Sequence, residues 1–124
     1  MNCPKCEAEM ARISYRTIVV DRCTGCKGIW FDMLEAQHLK EIAGSEAIDT
    51  GDRQVGKEYD KIGDINCPKC HVKMLRMVDP QQPHIHFENC ATCYGLFFDA
   101  GEFADFKEET VMDFFKDLFA RERK

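Results

Sequence analysis

The chain has 124 residues, 44% of them hydrophobic, and eight cysteines. That length allows one domain or two very small ones, and a unit of about 40 residues buries too little surface to hold together without a metal or disulfides. The formal net charge of −5 disfavours a phosphate-gripping surface, whose non-specific affinity comes from lysine and arginine.

The chain opens Met1-Asn-Cys3-Pro-Lys-Cys6, with no apolar run resembling a signal peptide and no stretch long enough to span a bilayer. A cytoplasmic chain with reduced cysteines and no membrane partner is therefore expected. Ala11–Arg16 and Thr17–Arg22 are rich in β-branched residues and predict an antiparallel pair of strands. A second cysteine turn, Cys23-Thr-Gly-Cys26, leads into Ile29-Trp30-Phe31, a third short strand. Asp32 with Glu35 has the spacing of a capping box and predicts a helix over 33–43, with Leu34, Leu39 and Ile42 inward and Gly44 as its stop. Residues 1–44 thus form one unit. Residues 45–65 hold three glycines and nine charged residues, net −3, and predict a flexible acidic linker with a short turn near Ala47 and Ile48.

The unit then repeats over 66–109. Asn66-Cys67-Pro-Lys-Cys70 copies the first turn at an offset of 64, and Met74 and Arg76 match Met10 and Arg12. At Cys90-Ala-Thr-Cys93 the offset is 67, so the second copy has three extra residues, which Pro80-Gln-Gln-Pro83 accommodates as a turn. Val20 and Phe87, Ile18 and Ile85, and Asp21 and Glu88 hold matching places before the third cysteine, an alternation that fits a strand with one packed face. Leu96-Phe97-Phe98 and the Asp99/Glu102 pair complete the match. Residues 110–124 have no counterpart in the first copy. Val111, Phe114, Phe115, Leu118 and Phe119 stand there at helical spacing, predicting an amphipathic helix that closes the core across a ribbon or is presented to a partner or a second copy of the chain.

All eight cysteines fall into two quartets, Cys3, Cys6, Cys23, Cys26 and Cys67, Cys70, Cys90, Cys93, spaced C-x2-C-x16-C-x2-C and C-x2-C-x19-C-x2-C. Two sulfurs two residues apart can face one ion from a tight turn, and a hairpin brings two such turns together into a tetrahedron. Four thiolates leave no open coordination position, so each site is structural: two zinc ions per chain, with a four-thiolate iron site as the chemical rival and disulfides as the other reading. Gly28 and Gly95 are expected to take backbone angles that other residues avoid. Cys67-Pro-Lys-Cys70-His71 has the form of a c-type haem attachment site, but the first copy has Glu7 where His71 stands. His84 and His86 share a strand face and read as surface polar groups, and His38 has no evident partner. No nucleophile–base set or phosphate loop is present, and Asp32/Glu35 and Asp99/Glu102 read as caps rather than catalytic carboxylates.

Asn-Cys-Pro-x-Cys followed by Cys-x-x-Cys-x-Gly-x-Trp-x-Asp-x-x-Glu resembles the transcription-factor-IIB-type zinc-finger family. The pattern falls on Cys3, Cys6, Cys23, Cys26, Gly28, Trp30, Asp32 and Glu35, and again on Cys67, Cys70, Cys90, Cys93, Gly95, Asp99 and Glu102, with Phe97 in place of the tryptophan. The resemblance implies a small metal-bound α+β fold: two tandem zinc ribbons, each a three-stranded antiparallel sheet followed by a helix. It does not imply transcription. The expected function is a non-catalytic zinc-binding adaptor that recognises protein, with contact surfaces near Trp30, Phe97 and the last helix. Nucleic-acid binding through basic residues such as Lys5, Arg12, Lys69 and Arg76, and a redox switch that releases zinc, are the alternatives.

Overall fold

The computed structural model describes residues 1–79 and 82–106. The expected turn at Pro80 and Gln81, and the expected helix over 110–124, lie outside the described residues. Strands β1 (Met10–Tyr15) and β2 (Ile18–Cys23) form a hairpin in which Tyr15 pairs with Ile18, so its loop is only Arg16-Thr17, with Arg16 at φ 57. Strand β3 (Ile29–Phe31) pairs with β2. Helix α1 (Glu35–Lys40), a 3-10 turn (Ser45–Ile48) and helix α2 (Arg53–Asp60) follow. Strands β4 (Leu75–Asp79), β5 (Gln82–Asn89) and β6 (Leu96–Phe98) repeat the three-stranded unit, and residues 102–106 are helical. Strand β5 begins at Gln82, so Pro83 lies in a strand where a turn was expected. It follows a register shift between Val78 and Asp79, an irregular place where proline is tolerated.

The two units share one antiparallel sheet of six strands, in the order β1-β2-β3-β6-β5-β4. The seam is β3 against β6: Ile29 opposite Phe98, Trp30 opposite Phe97, Phe31 opposite Leu96. Ile29 and Leu96, and Phe31 and Phe98, are repeat equivalents. The pairing is therefore reciprocal, as across a two-fold axis between Trp30 and Phe97.

Alternation along the strands sorts the core onto the two faces of this sheet. Trp30 and Phe97 join Met10, Met74 and the buried cysteines on one face. Ile29, Phe31 and Phe98 meet Val20, Ile85, Ala36, Leu39 and Phe103 on the other, under the helices. The helix-side core is mainly aromatic, with Phe31 and Phe103 ring centroids 4.9 Å apart and Phe98 edge-on to Phe31 at 5.6 Å. Because the seam strands have a full layer on each face, all three residues of β3 are buried.

Residues 45–65, expected as a flexible linker, instead form the 3-10 turn and α2. Ile48 enters the helix-side core, and the Asp49 carboxylate accepts from the Gly101 and Ala104 amides at 2.8 and 3.0 Å. Asp52 caps α2 by accepting from Gln54 N at 2.7 Å. Helix α1 is shorter than expected: Leu34, at φ 69, is its N-cap and points outward, while Ala36 and Leu39 are buried.

Candidate metal centre

Each cysteine pair sits in the same local structure. The residue after the second cysteine takes a left-handed backbone: Glu7 at φ 67, Lys27 at 65, His71 at 62 and Tyr94 at 62. That reversal lets the Glu7, His71 and Tyr94 amides donate back to the carbonyls of Cys3, Cys67 and Cys90 at 3.0, 2.9 and 2.8 Å. Amides within the turns also point at sulfur. Lys5 N and Gly25 N donate to Cys3 and Cys23 Sγ at 3.5 and 3.3 Å, and Lys69 N and Cys93 N to Cys67 and Cys90 Sγ at 3.4 and 3.5 Å. Such bonds favour thiolate over thiol and fix the direction of each ligand.

The structure brings the eight cysteines together in the two expected quartets, and in each the four sulfurs lie within 4.8 Å of one another. Cys3 and Cys26 Sγ are 3.8 Å apart, Cys67 and Cys93 Sγ 3.8 Å, and Cys6 and Cys23 Sγ 3.2 Å. A tetrahedral zinc with bonds of about 2.3 Å needs sulfur–sulfur edges of about 3.8 Å. Disulfides are absent, since all eight cysteines are free. Without a cation the sulfurs cannot all ionise. A hydrogen bond from Cys26 lowers Cys3 to about 5, the same contact drives Cys26 upward, and burial pushes Cys93 up to about 12. A dication at the centre removes that conflict, and the residues present fit it.

The family model described as transcription factor zinc-finger, of the zinc-ribbon IIB type, matches residues 2–42 and 66–109. The chain belongs to this zinc-ribbon family. No curated protein and no solved structure matches it. As a tandem zinc ribbon the chain takes two zinc ions, one in each quartet.

The remaining residues of the zinc-ribbon pattern work across the seam. Gly28 and Gly95 do not take positive φ, contrary to expectation. They supply empty space: a Cβ on Gly28 would overlap the Phe97 ring, and one on Gly95 would stand 2.6 Å from Trp30 Cη2. Trp30 and Phe97, expected as outer contact surfaces, are fully buried in these two slots. Asp32 is not the side-chain cap of α1. Glu35 supplies half a capping box, its carboxylate accepting from Asp32 N at 2.7 Å, while Asp32 accepts from Trp30 Nε1 at 3.1 Å and from Lys69 of the other ribbon. Likewise Asp99 accepts from Lys5 Nζ at 2.6 Å. The middle lysine of each Cys-Pro-Lys-Cys turn thus grips the aspartate of the opposite ribbon.

These two reciprocal pairs have unlike surroundings. Lys69 and Asp32 are partly exposed. Lys5 is buried, also meets Glu88 at 2.8 Å, and donates to the Tyr59 carbonyl at 3.0 Å, because α2 covers that side. Asp60 there faces Arg76 at 2.8 Å and His86 Nδ1 at 3.3 Å, and Glu102 accepts from His86 N at 3.1 Å. Three carboxyl groups, Asp60, Glu88 and Asp99, thus share Lys5 and Arg76, and Glu102 stands beside Asp60 and Asp99. Burial pushes Asp99 up to about 7 and Glu102 up to about 8. Lys5 and Lys69, expected only as basic residues of an alternative nucleic-acid surface, instead pair within the chain, and Asp60 lies in what was expected to be a linker. The signal for the two lysines was their common place in both Cys-Pro-Lys-Cys turns. His71 and His38 are exposed, and the side chain of His84 lies outside the described residues.

Proposed function

We propose that this tandem zinc ribbon is a non-catalytic, zinc-stabilised protein-interaction module, an adaptor or regulator acting in the cytoplasm. A zinc held by four thiolates has no open position for water or substrate, which supports a structural metal. One observation carries the interaction reading: Met33, Leu34 and Tyr94 are 56, 52 and 58% exposed and cluster on one groove of about 380 Å³ with Leu96 and Ala36. Large apolar side chains gathered on a charged surface mark a contact site. Nucleic-acid binding is the weaker reading, because Lys5 and Lys69 are engaged by acidic partners within the chain. Among the described residues, no helix is long and apolar enough to cross a membrane.

Affinity capture with wild type and with Met33→Ser/Leu34→Ser/Tyr94→Ser tests the reading. A protein retained by wild type and lost by the variant is expected. Capture unchanged by the variant, or nucleic-acid binding with a steep salt dependence, would overturn it.

A further inference from the structure

The two-fold relation within the chain allows each surface of one ribbon to be compared with its counterpart on the other. On ribbon two, residues 49–60 cover the start of the second helical segment. Asp49 holds the Gly101 and Ala104 amides, and a Cβ on Gly51 would lie 2.7 Å from the Lys27 Cβ. A Cβ on Gly56 would lie 2.9 Å from the Ala100 carbonyl carbon. The covering segment is the chain that leaves ribbon one.

By the 67-residue offset, Ala100, Gly101 and Ala104 of ribbon two correspond to Met33, Leu34 and Gln37 of ribbon one, and Lys27 of ribbon one, which lies against the same covering segment, corresponds to Tyr94 of ribbon two. Met33, Leu34, Gln37 and Tyr94 all line the exposed 380 Å³ groove. A second open groove of about 400 Å³ holds Arg12, Asp21, Asp32 and Lys69, the counterparts of Arg76, Glu88, Asp99 and Lys5, which α2 covers. The counterparts of the residues that 49–60 covers thus line two open grooves.

The same two-fold operation carries the chain leaving ribbon one onto the chain leaving ribbon two, residues 107–124. We propose that residues 107–124 dock in the Met33–Leu34–Tyr94 groove, as residues 49–60 dock against Ala100, Gly101 and Lys27. Three observations select this occupant. Its starting point lies against α1: Phe106 packs on Phe98 at 5.3 Å and under Lys40 Nζ at 3.9 Å, on the same helix that supplies Ala36 and Gln37 to the groove. Its length suffices, since Gln37 and Lys40 are about 4.5 Å apart along a helix axis and even a helical run over 107–119 spans about 20 Å. Its chemistry fits as well. The covered surface offers Ala100, Gly101 and the Lys27 stem to a glycine-containing polar segment, whereas the open groove offers Met33, Leu34 and Tyr94, and residues 107–124 carry Phe114, Phe115, Leu118 and Phe119.

The groove is also the proposed partner site, and on that reading the segment competes with the partner. The experiment uses the purified zinc-loaded full chain alone, so its failure leaves the partner reading standing. Methionine-methyl NMR is compared between wild type and Phe114→Ser/Phe115→Ser. The Met33 methyl is expected to move to a solvent-exposed position in the variant while the buried Met10 and Met74 methyls stay. Reciprocally, Met33→Ser/Leu34→Ser, which changes only surface residues, is expected to speed amide exchange over 111–119 at least tenfold. An unmoved Met33 methyl with unchanged exchange overturns the proposal. A Met33 shift that appears only with rising protein concentration, alongside a dimer in sedimentation, also overturns it by making the occupant a second copy.

Discussion

Lys5→Met and Lys69→Met are the same substitution made twice in one molecule, and the fold predicts unequal outcomes. Lys5 Nζ lies 2.6 Å from Asp99 and 2.8 Å from Glu88, with side-chain exposures of 0, 1 and 4%. Lys69 and Asp32 are 42 and 46% exposed. Removing one partner of a buried ion pair leaves an uncompensated charge and costs about 3–5 kcal/mol. An exposed pair contributes about 0–1 kcal/mol. Lys5→Met should therefore be less stable than Lys69→Met by about 3 kcal/mol, or roughly 10 °C in Tm for a chain of this size. Urea or thermal unfolding in excess zinc, followed by the fluorescence of Trp30, the only tryptophan, reports it directly from the seam. Zinc content should remain two per chain in both variants. The deficit of Lys5→Met should be smaller at pH 6 than at pH 8.5, because Asp99, already pushed up to about 7, can take a proton when its cation is gone. Equal losses for the two variants, or a deficit that does not change with pH, would refute the assignment of Lys5 as counter-ion to a buried acidic cluster.

Gly28→Ala and Gly95→Ala should each destabilise by about 1–3 kcal/mol, because the added methyl overlaps the Phe97 and Trp30 rings in slots that cannot widen; chemical denaturation measures both. Asp99 and Glu102 have carboxyl groups raised to about 7 and about 8, so between roughly pH 4 and 8 the folded chain binds more protons than the unfolded one, and stability falls as pH rises through that window. Glu102→Gln keeps an acceptor for His86 N and should flatten the decline in Tm between pH 6 and 8.5. Metal analysis of protein purified without added metal should give two zinc ions per chain, and a chelator should abolish the cooperative transition. Cys70→Ala should weaken zinc binding in the first quartet as well as the second, since both metal-side cores pack on the one Trp30–Phe97 seam; competition with a chromogenic chelator reads this out.

The zinc quartets and the strands leading to them were legible because their signals are local: paired cysteines two residues apart, β-branched runs and a matching repeat. The seam was not read, for two physical reasons. The glycines contribute by having no side chain, and the use of that space depends on a ring 69 positions further on, from Gly28 to Phe97, which no periodicity reveals. Lys5 meets Asp99 across 94 residues, and a lysine between two zinc ligands looks like ordinary surface charge. One clue was available: Ile29-Trp30-Phe31 and Leu96-Phe97-Phe98 are apolar at every position, the pattern of strands covered on both faces, which a lone small ribbon cannot provide. Residues 45–65 misled because glycine and charge suggest a linker. Here Gly51 and Gly56 allow close approach to Ala100, Asp49 accepts from the Gly101 and Ala104 amides, and Asp60 pairs with Arg76 and His86 of ribbon two.

The reciprocal seam has a further consequence for concentration. Two separate ribbons meeting through such a surface would form a dimer whose folded fraction falls on dilution. Joined by 21 intervening residues, each ribbon meets the other at an effective concentration on the order of millimolar, whatever the amount of protein. The fold is then set by the chain and by the supply of zinc, not by abundance. A substitution is also felt once rather than twice, so Trp30 and Phe97, or the buried Lys5 and the open Lys69, can differ without either having to fit a copy of itself.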